Sequence, residues 1–141
     1  MLISIRTLIR VHERGLLDTS VVLDLTAIDP NLLPNEFAIS SITMAELQAG
    51  PAATADCVEQ AKRISQIQRI ESLVDCIPFD TQAARAYGLV YAAVVQSGRT
   101  PRRRIADLLI ASSANAENLP LFTRNPDDFK GLEELVQIVV V

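Results

Sequence analysis

The chain reads as an α/β protein, a three-layer α/β/α arrangement around a short, mainly parallel central sheet. Three observations predict it. Short apolar runs alternate with segments of helical periodicity, which implies a parallel sheet covered on both faces. Acidic residues fall in or beside these apolar segments, several of them just after a strand-like run, where ligands of such sheets bind. The 141 residues also suit one domain with a core of its own.

Gly15 to Leu17 is the first strand, and Asp18-Thr19-Ser20 caps a helix through Val21, Val22 and Leu25. Turn residues at Asp29-Pro30-Asn31 and Pro34-Asn35 lead to a second strand, Phe37 to Ile39, after which Thr43 opens a helix containing Glu46. A long helix is expected over about Thr54 to Leu73, with Cys57, Ala61, Ile64, Ile67 and Ile70 or Val74 on its inner face. Asp75 to Phe79 is a third strand. Asp80 or Thr81 then caps a helix whose inner face is Ala84, Tyr87, Tyr91, Val94 and Val95, ended by Gly98. Thr100-Pro101 is a helix start that places Asp107 in the second turn. Leu121-Phe122 is a fourth strand, Asn125-Pro126-Asp127-Asp128 a turn, and Val136 to Val140 the closing strand.

Composition narrows the function classes. Hydrophobic residues make up 49% and charged residues 21%, ordinary globular usage. No apolar run is long enough to span a bilayer and the first residues lack a secretory h-region, so a cytoplasmic protein without membrane association is expected. Cys57 and Cys76 have no metal-ligand spacing and are expected to be buried, reduced thiols. No glycine-rich phosphate cradle is present, which argues against a dinucleotide enzyme or an NTPase. A phosphoacceptor receiver domain would need paired acids near Asp18 and a Lys after a late strand, and has neither. The net charge of −4 weighs against nucleic acid, but eleven of the thirteen basic residues are Arg, and Arg99, Arg102, Arg103 and Arg104 fall in one stretch.

The acids have plain structural readings one at a time. Asp18 suits a helix N-cap. Thr43-Met44-Ala45-Glu46 matches a capping box. Asp127 and Asp128 belong to a turn. Asp107 is different, since it is the only charged residue from Ile105 to Ala116 and needs a partner, which nearby Arg103 or a metal would supply. Carboxylates held together and kept ionised imply a bound cation, and oxygen-only ligands suit Mg²⁺ or Mn²⁺.

Four segments in this order, LLDTSVVLDL, ITMAEL, IADLLIASSA and LFTRNPDDF, resemble the PIN-domain ribonucleases and most closely the VapC-type toxins, from Gly15 to Val141. The resemblance implies a PIN-like fold and an Mg²⁺-dependent endoribonuclease toxin, with Mn²⁺ as a substitute, that cleaves cellular RNA and is inhibited by a VapB-type antitoxin. It makes Asp18, Glu46 and Asp107 the core acids, Asp18 and Asp107 the direct ligands, and Ser20 and Thr123 supporting hydroxyls. The family's fourth acid position holds Asn125 here, so Asp128 supplies the missing charge or the site holds one metal. Arg102, Arg103 and Arg104 would hold RNA phosphates; the other readings are a solvated helix start, or an antitoxin carboxylate held by Arg103 or Arg104. The apolar helix faces would support a homodimer or serve the core. The alternative is a PIN-like module that binds RNA or protein without cleaving.

Residues 1–14 precede the PIN-like domain of 15–141. They read as a leader or start-site extension, poorly ordered unless docked. The other reading is a basic amphipathic helix with Ile5, Leu8, Ile9 and His12 on one face and Arg6, Arg10 and Arg14 on another.

Overall fold

The computed structural model describes residues 12–141, so the reading of Ile5, Leu8, Ile9, Arg6 and Arg10 as helical faces lies outside the described residues. Five strands form one sheet in the order β3-β2-β1-β4-β5, every pair parallel. They are β1 (Arg14–Leu17), β2 (Glu36–Ser40), β3 (Asp75–Ile77), β4 (Leu121–Thr123) and β5 (Ile138–Val140). Among the described residues the α-helices are α1 (Thr19–Leu23), α2 (Ser41–Ala49), α3 (Cys57–Leu73), α4 (Thr81–Gln96) and α5 (Ile105–Glu117). From β1 the chain builds outward through β2 and β3, then returns to the other side of β1 for β4 and β5. That reversal opens a crevice at the carboxyl ends of β1 and β4.

Side chains alternate across the strands, which gives the protein two cores. Leu16, Ala38 and Leu121 face one side and pack with Val90 and Val94 of α4 and Leu108, Ala111 and Ala114 of α5. Leu17, Ile39 and Phe122 face the other and pack with Val21, Val22, Leu47, Ile67 and Ile70 of α1, α2 and α3. Each apolar doublet thus serves both layers, as buried parallel strands require. Gly15 is required by packing, because a Cβ there would overlap the Phe122 ring and touch Pro34.

Several expectations need correction. Ser40, not Thr43, caps α2, its Oγ accepting the Ile42 N–H at 3.1 Å, while Thr43 is buried inside the first turn. The chain takes a 3-10 turn at Pro51–Ala53, so α3 starts at Cys57 with Asp56 as its cap. Only Ile67 and Ile70 of α3 are buried; Cys57, Ala61 and Ile64 face solvent. Both thiols are free and exposed, Cys57 at the helix start and Cys76 on the edge strand β3, so neither is a core residue. On α4 the buried face is Ala83, Ala86, Val90 and Val94, with Tyr87 half-buried and Ala84, Tyr91 and Val95 exposed. Ala and Val occupy nearly every side of α4, so apolar spacing alone does not select the face. Thr100 makes no cap bond, Pro101–Arg104 is a 3-10 turn, and Asp107 therefore lies in the first turn of α5. The third and fifth strands end or begin two residues inside the expected limits, at Ile77 and Ile138.

His12 packs edge-on against Phe122, ring centroids 5.7 Å apart, and Arg14 at the start of the central strand β1 pairs with Asp75 of the edge strand β3 at 2.7 Å. This exposed pair adds little stability.

Candidate metal centre

Asp18 directly follows β1 and is only 3% exposed. Its backbone N–H donates to the Phe122 carbonyl at 2.9 Å, fixing it beside β4. Although it stands at the N-cap of α1, its side chain makes no capping bond. Oδ2 instead accepts from Thr123 Oγ1 at 2.7 Å and from Ser20 Oγ at 3.0 Å. Each hydroxyl also accepts a backbone N–H, Thr123 from Asn125 at 2.9 Å and Ser20 from Arg124 at 3.2 Å. A hydroxyl has one proton, and with its lone pairs engaged by these N–H groups that proton is directed at Asp18. The carboxylate is thereby aimed, and charge-assisted bonds of this kind are the stronger sort.

Glu46 projects from α2, exposed, and is no capping-box partner. Its Oε1 lies 2.7 Å from Thr19 Oγ1, which is itself 3.1 Å from the buried Thr43 Oγ1. The single Thr19 proton goes to the nearer, charged acceptor. Thr19 and Thr43 escape a reading of sequence that looks only for acids, yet Thr19 directly follows Asp18 at the strand end, and that adjacency is the signal for it.

Asp107 joins the acids together. Its carboxyl is raised from an ordinary 3.8 to about 6, first by desolvation, then by the negative charges of Asp128, Asp18 and Glu46, with Arg104 opposing. All three companions are thus near enough to repel its charge. Asp128, on a 3-10 turn over Pro126–Phe129, pairs through Oδ1 with Arg104 Nη1 at 2.8 Å. Arg103, the partner expected from spacing, is exposed, as is Arg102; of the three, only Arg104 acts on Asp107. Asn125 is exposed and contributes through its backbone, donating to Thr123 and accepting the Asp128 N–H at 3.1 Å. Asp127 is exposed too, and its carbonyl accepts from both Arg99 and Arg104.

The donor set is all oxygen and carries excess negative charge centred on Asp107, which fits Mg²⁺ or Mn²⁺. Among the described residues no three ligating side chains surround a single point. Water would complete the coordination of an ion here, as is usual for Mg²⁺, which holds several waters and takes one or two carboxylates.

A family model described as PIN domain matches residues 15–135. Ribonuclease VapC5 of Mycobacterium tuberculosis is 32% identical over 130 residues, covering 90% of this chain and 93% of that protein. Ribonuclease VapC2 of Rickettsia felis is 34% identical over 102 residues, 72% of each. A solved structure of a member of the VapBC family of toxin-antitoxin systems, VapBC-5 from Mycobacterium tuberculosis, superimposes with a TM-score of 0.80 at 34% identity, covering 92% of this chain and 99% of that one. VapBC2 from Rickettsia felis, bound to a DNA fragment from its promoter, gives 0.71 at 25% identity, covering 89% and 96%.

Proposed function

The chain belongs to the PIN-domain family, and from that premise we propose that it is a divalent-metal-dependent endoribonuclease toxin, restrained by a VapB-type antitoxin. The observation that carries the reading is the raised carboxyl of Asp107, on which Asp128, Asp18 and Glu46 converge. Such a group needs a cation before it can stay ionised without penalty. The relatives named as VapC ribonucleases and the similarity to VapBC complexes support the activity and the partner.

Asp18 and Asp107 would hold the ion, with Glu46 and Asp128 bordering it. Bound there, Mg²⁺ or Mn²⁺ would lower the pKa of a water and offset charge developing on an RNA phosphodiester. Ser20 and Thr123 keep Asp18 directed at the ion through the bonds described above. Glu46 would accept a hydrogen bond from the attacking water, its Oε1 steadied by Thr19. Arg102 and Arg103, exposed beside the acids, would meet flanking phosphates without fixing sequence, since phosphate contacts position and base contacts specify. Among the described residues no helix is long and apolar enough to cross a membrane, and we place the activity in the cytoplasm. Exposed Leu89, Tyr91 and Val95 on α4 would let two copies pair; a monomeric mass in solution would dismiss that homodimer.

The test is cleavage of total cellular RNA by purified protein with Mg²⁺ or Mn²⁺, beside EDTA and the variants Asp18→Asn and Asp107→Asn. Metal-dependent cleavage lost in both variants is expected. Two observations favour a second reading, a module that binds without cutting: Asp128 is engaged by Arg104, and Asn125 stands where the resemblance expects an acid. Intact RNA from folded, metal-bound protein would select it.

A further inference from the structure

The carbonyl oxygen of Asp127 gathers two guanidinium groups from different elements. Arg99 follows α4 and Arg104 precedes α5, and each donates through Nη1, at 2.5 and 2.8 Å, to that one oxygen. Two like charges held on a single acceptor repel, and one neutral carbonyl does not balance them. Arg104 gains a carboxylate, Asp128 Oδ1 at 2.8 Å, from the same Nη1. Arg99 has no ion pair among the described residues; its other bond is a 3.5 Å contact to the Lys130 carbonyl. Glu133, whose carboxyl is lowered by the backbone N–H groups of Glu133 and Gly131 and more weakly by Lys130 and Arg99, is 2.9 and 3.1 Å from the Gly131 N–H that its two oxygens accept.

Each guanidinium has five N–H donors in a fixed fork, and the bonds just named leave several of them unused. Turned toward one ligand, two such forks suit a tetrahedral oxyanion, because planar, bidentate donors match phosphate oxygens. We infer that Arg99 and Arg104 form a clamp for one backbone phosphate of the RNA, next to the scissile bond, with Asp128 as the anion that occupies Arg104 until the phosphate arrives. This rests on the ribonuclease reading and deepens it by naming a substrate subsite. The Asp127 carbonyl pre-orients both side chains, so little rotamer freedom is lost when RNA binds. A phosphate that takes over Arg104 releases Asp128 toward Asp107, which ties substrate binding to completion of the acid cluster.

The experiment measures binding of a fluorescent single-stranded RNA decamer in EDTA, in an Asp107→Asn background so that no cleavage occurs, over a range of salt. Arg99→Gln and Arg104→Gln are each expected to weaken binding about tenfold. The double variant should lose little more than either single, because both residues serve one phosphate, and the slope of log affinity against log salt should fall by about 0.7 in total. Arg104→Lys should recover the slope while remaining weak, since it restores charge without the fork. Arg85→Gln on α4 should bind like the parent. Arg99→Gln leaves the Arg104–Asp128 pair in place, so it tests the clamp even where Arg104→Gln melts the turn. Unchanged binding in both single variants, or losses that multiply with a slope change of about 1.4, would overturn the clamp. An acidic hexapeptide binding at these arginines while RNA does not would overturn it too. If the unsubstituted protein still cleaves RNA with Mg²⁺, only the clamp falls; if it neither cleaves nor binds, the ribonuclease reading falls with it.

Discussion

Replacing Asp107 with Asn should make the metal-free protein more stable, although it removes a central residue of the site. The carboxyl titrates at about 6 in the folded chain against an ordinary 3.8, so the native state binds its proton more tightly than the unfolded state does. Between those values the native protein holds more protons, and stability falls as pH rises. Below about pH 4 both states carry a neutral Asp107 and the substitution changes little. Above about pH 6 the wild type carries a repelled carboxylate and the Asn variant does not. At about 1.4 kcal/mol per pH unit the full difference is about 3 kcal/mol. Asp107 is only half-buried, so solvent screening reduces this to about 1 kcal/mol, or about 3–5 °C in melting temperature for a domain of this size. Urea unfolding in EDTA at pH 7.5 and pH 4 would measure it. Saturating Mg²⁺ should reverse the order, since a ligand at a hundred times its Kd adds about 2.7 kcal/mol to the wild type alone. An Asn variant less stable than wild type in EDTA at pH 7.5 would mean that the native fold does not repel the Asp107 carboxylate.

Four further outcomes are expected. The rise in melting temperature produced by Mg²⁺ or Mn²⁺ should shrink as pH falls through 6, because protonated Asp107 is a poor ligand; a pH-independent rise would place the ion elsewhere. Thr123→Val deprives buried Asp18 of a proton donor and should cost about 1–3 kcal/mol of stability, with RNA cleavage reduced about 10- to 100-fold. Gly15→Ala, whose new methyl meets the Phe122 ring, should cost about 1–3 kcal/mol in denaturant unfolding while leaving the acids unchanged. Both cysteines should react with a thiol reagent in the folded protein, Cys76 more slowly, since partial desolvation and then the negative charges of Asp75 and Glu71 raise its pKa; an inert thiol would contradict the exposed placement of Cys57 and Cys76.

The strands and the acids could be read from sequence because their signals are local. Leu16-Leu17, Ala38-Ile39 and Leu121-Phe122 are short apolar runs that only a sheet covered on both faces buries, and Asp18 follows the first directly. The faces of α3 and α4 could not, because rotation about a helix axis is set by what lies across the interface. Apolar residues all round α4 leave several rotations equally apolar, and on α3 the apolar Ile64 faces solvent while Ile67 and Ile70 are buried. The same limit applied at the site. Whether Asp18 caps α1 or accepts from Thr123 depends on β4 arriving beside β1. Choosing Arg104 over Arg103 needed the 3-10 turn at Pro101–Arg104, which changes the angle per residue before α5 begins.

The bond from Thr123 to Asp18 joins residues 105 positions apart, and this has a bearing on how a cell survives making such a protein. While the chain is still on the ribosome, Asp18, Glu46 and Asp107 can all have been synthesised while β4 and β5 remain in the exit tunnel. The strand that aims Asp18 emerges after all three of these acids, so a nascent chain stopped before it holds its acids without their alignment. Toxicity would then begin only after the strand that carries Thr123 has been made.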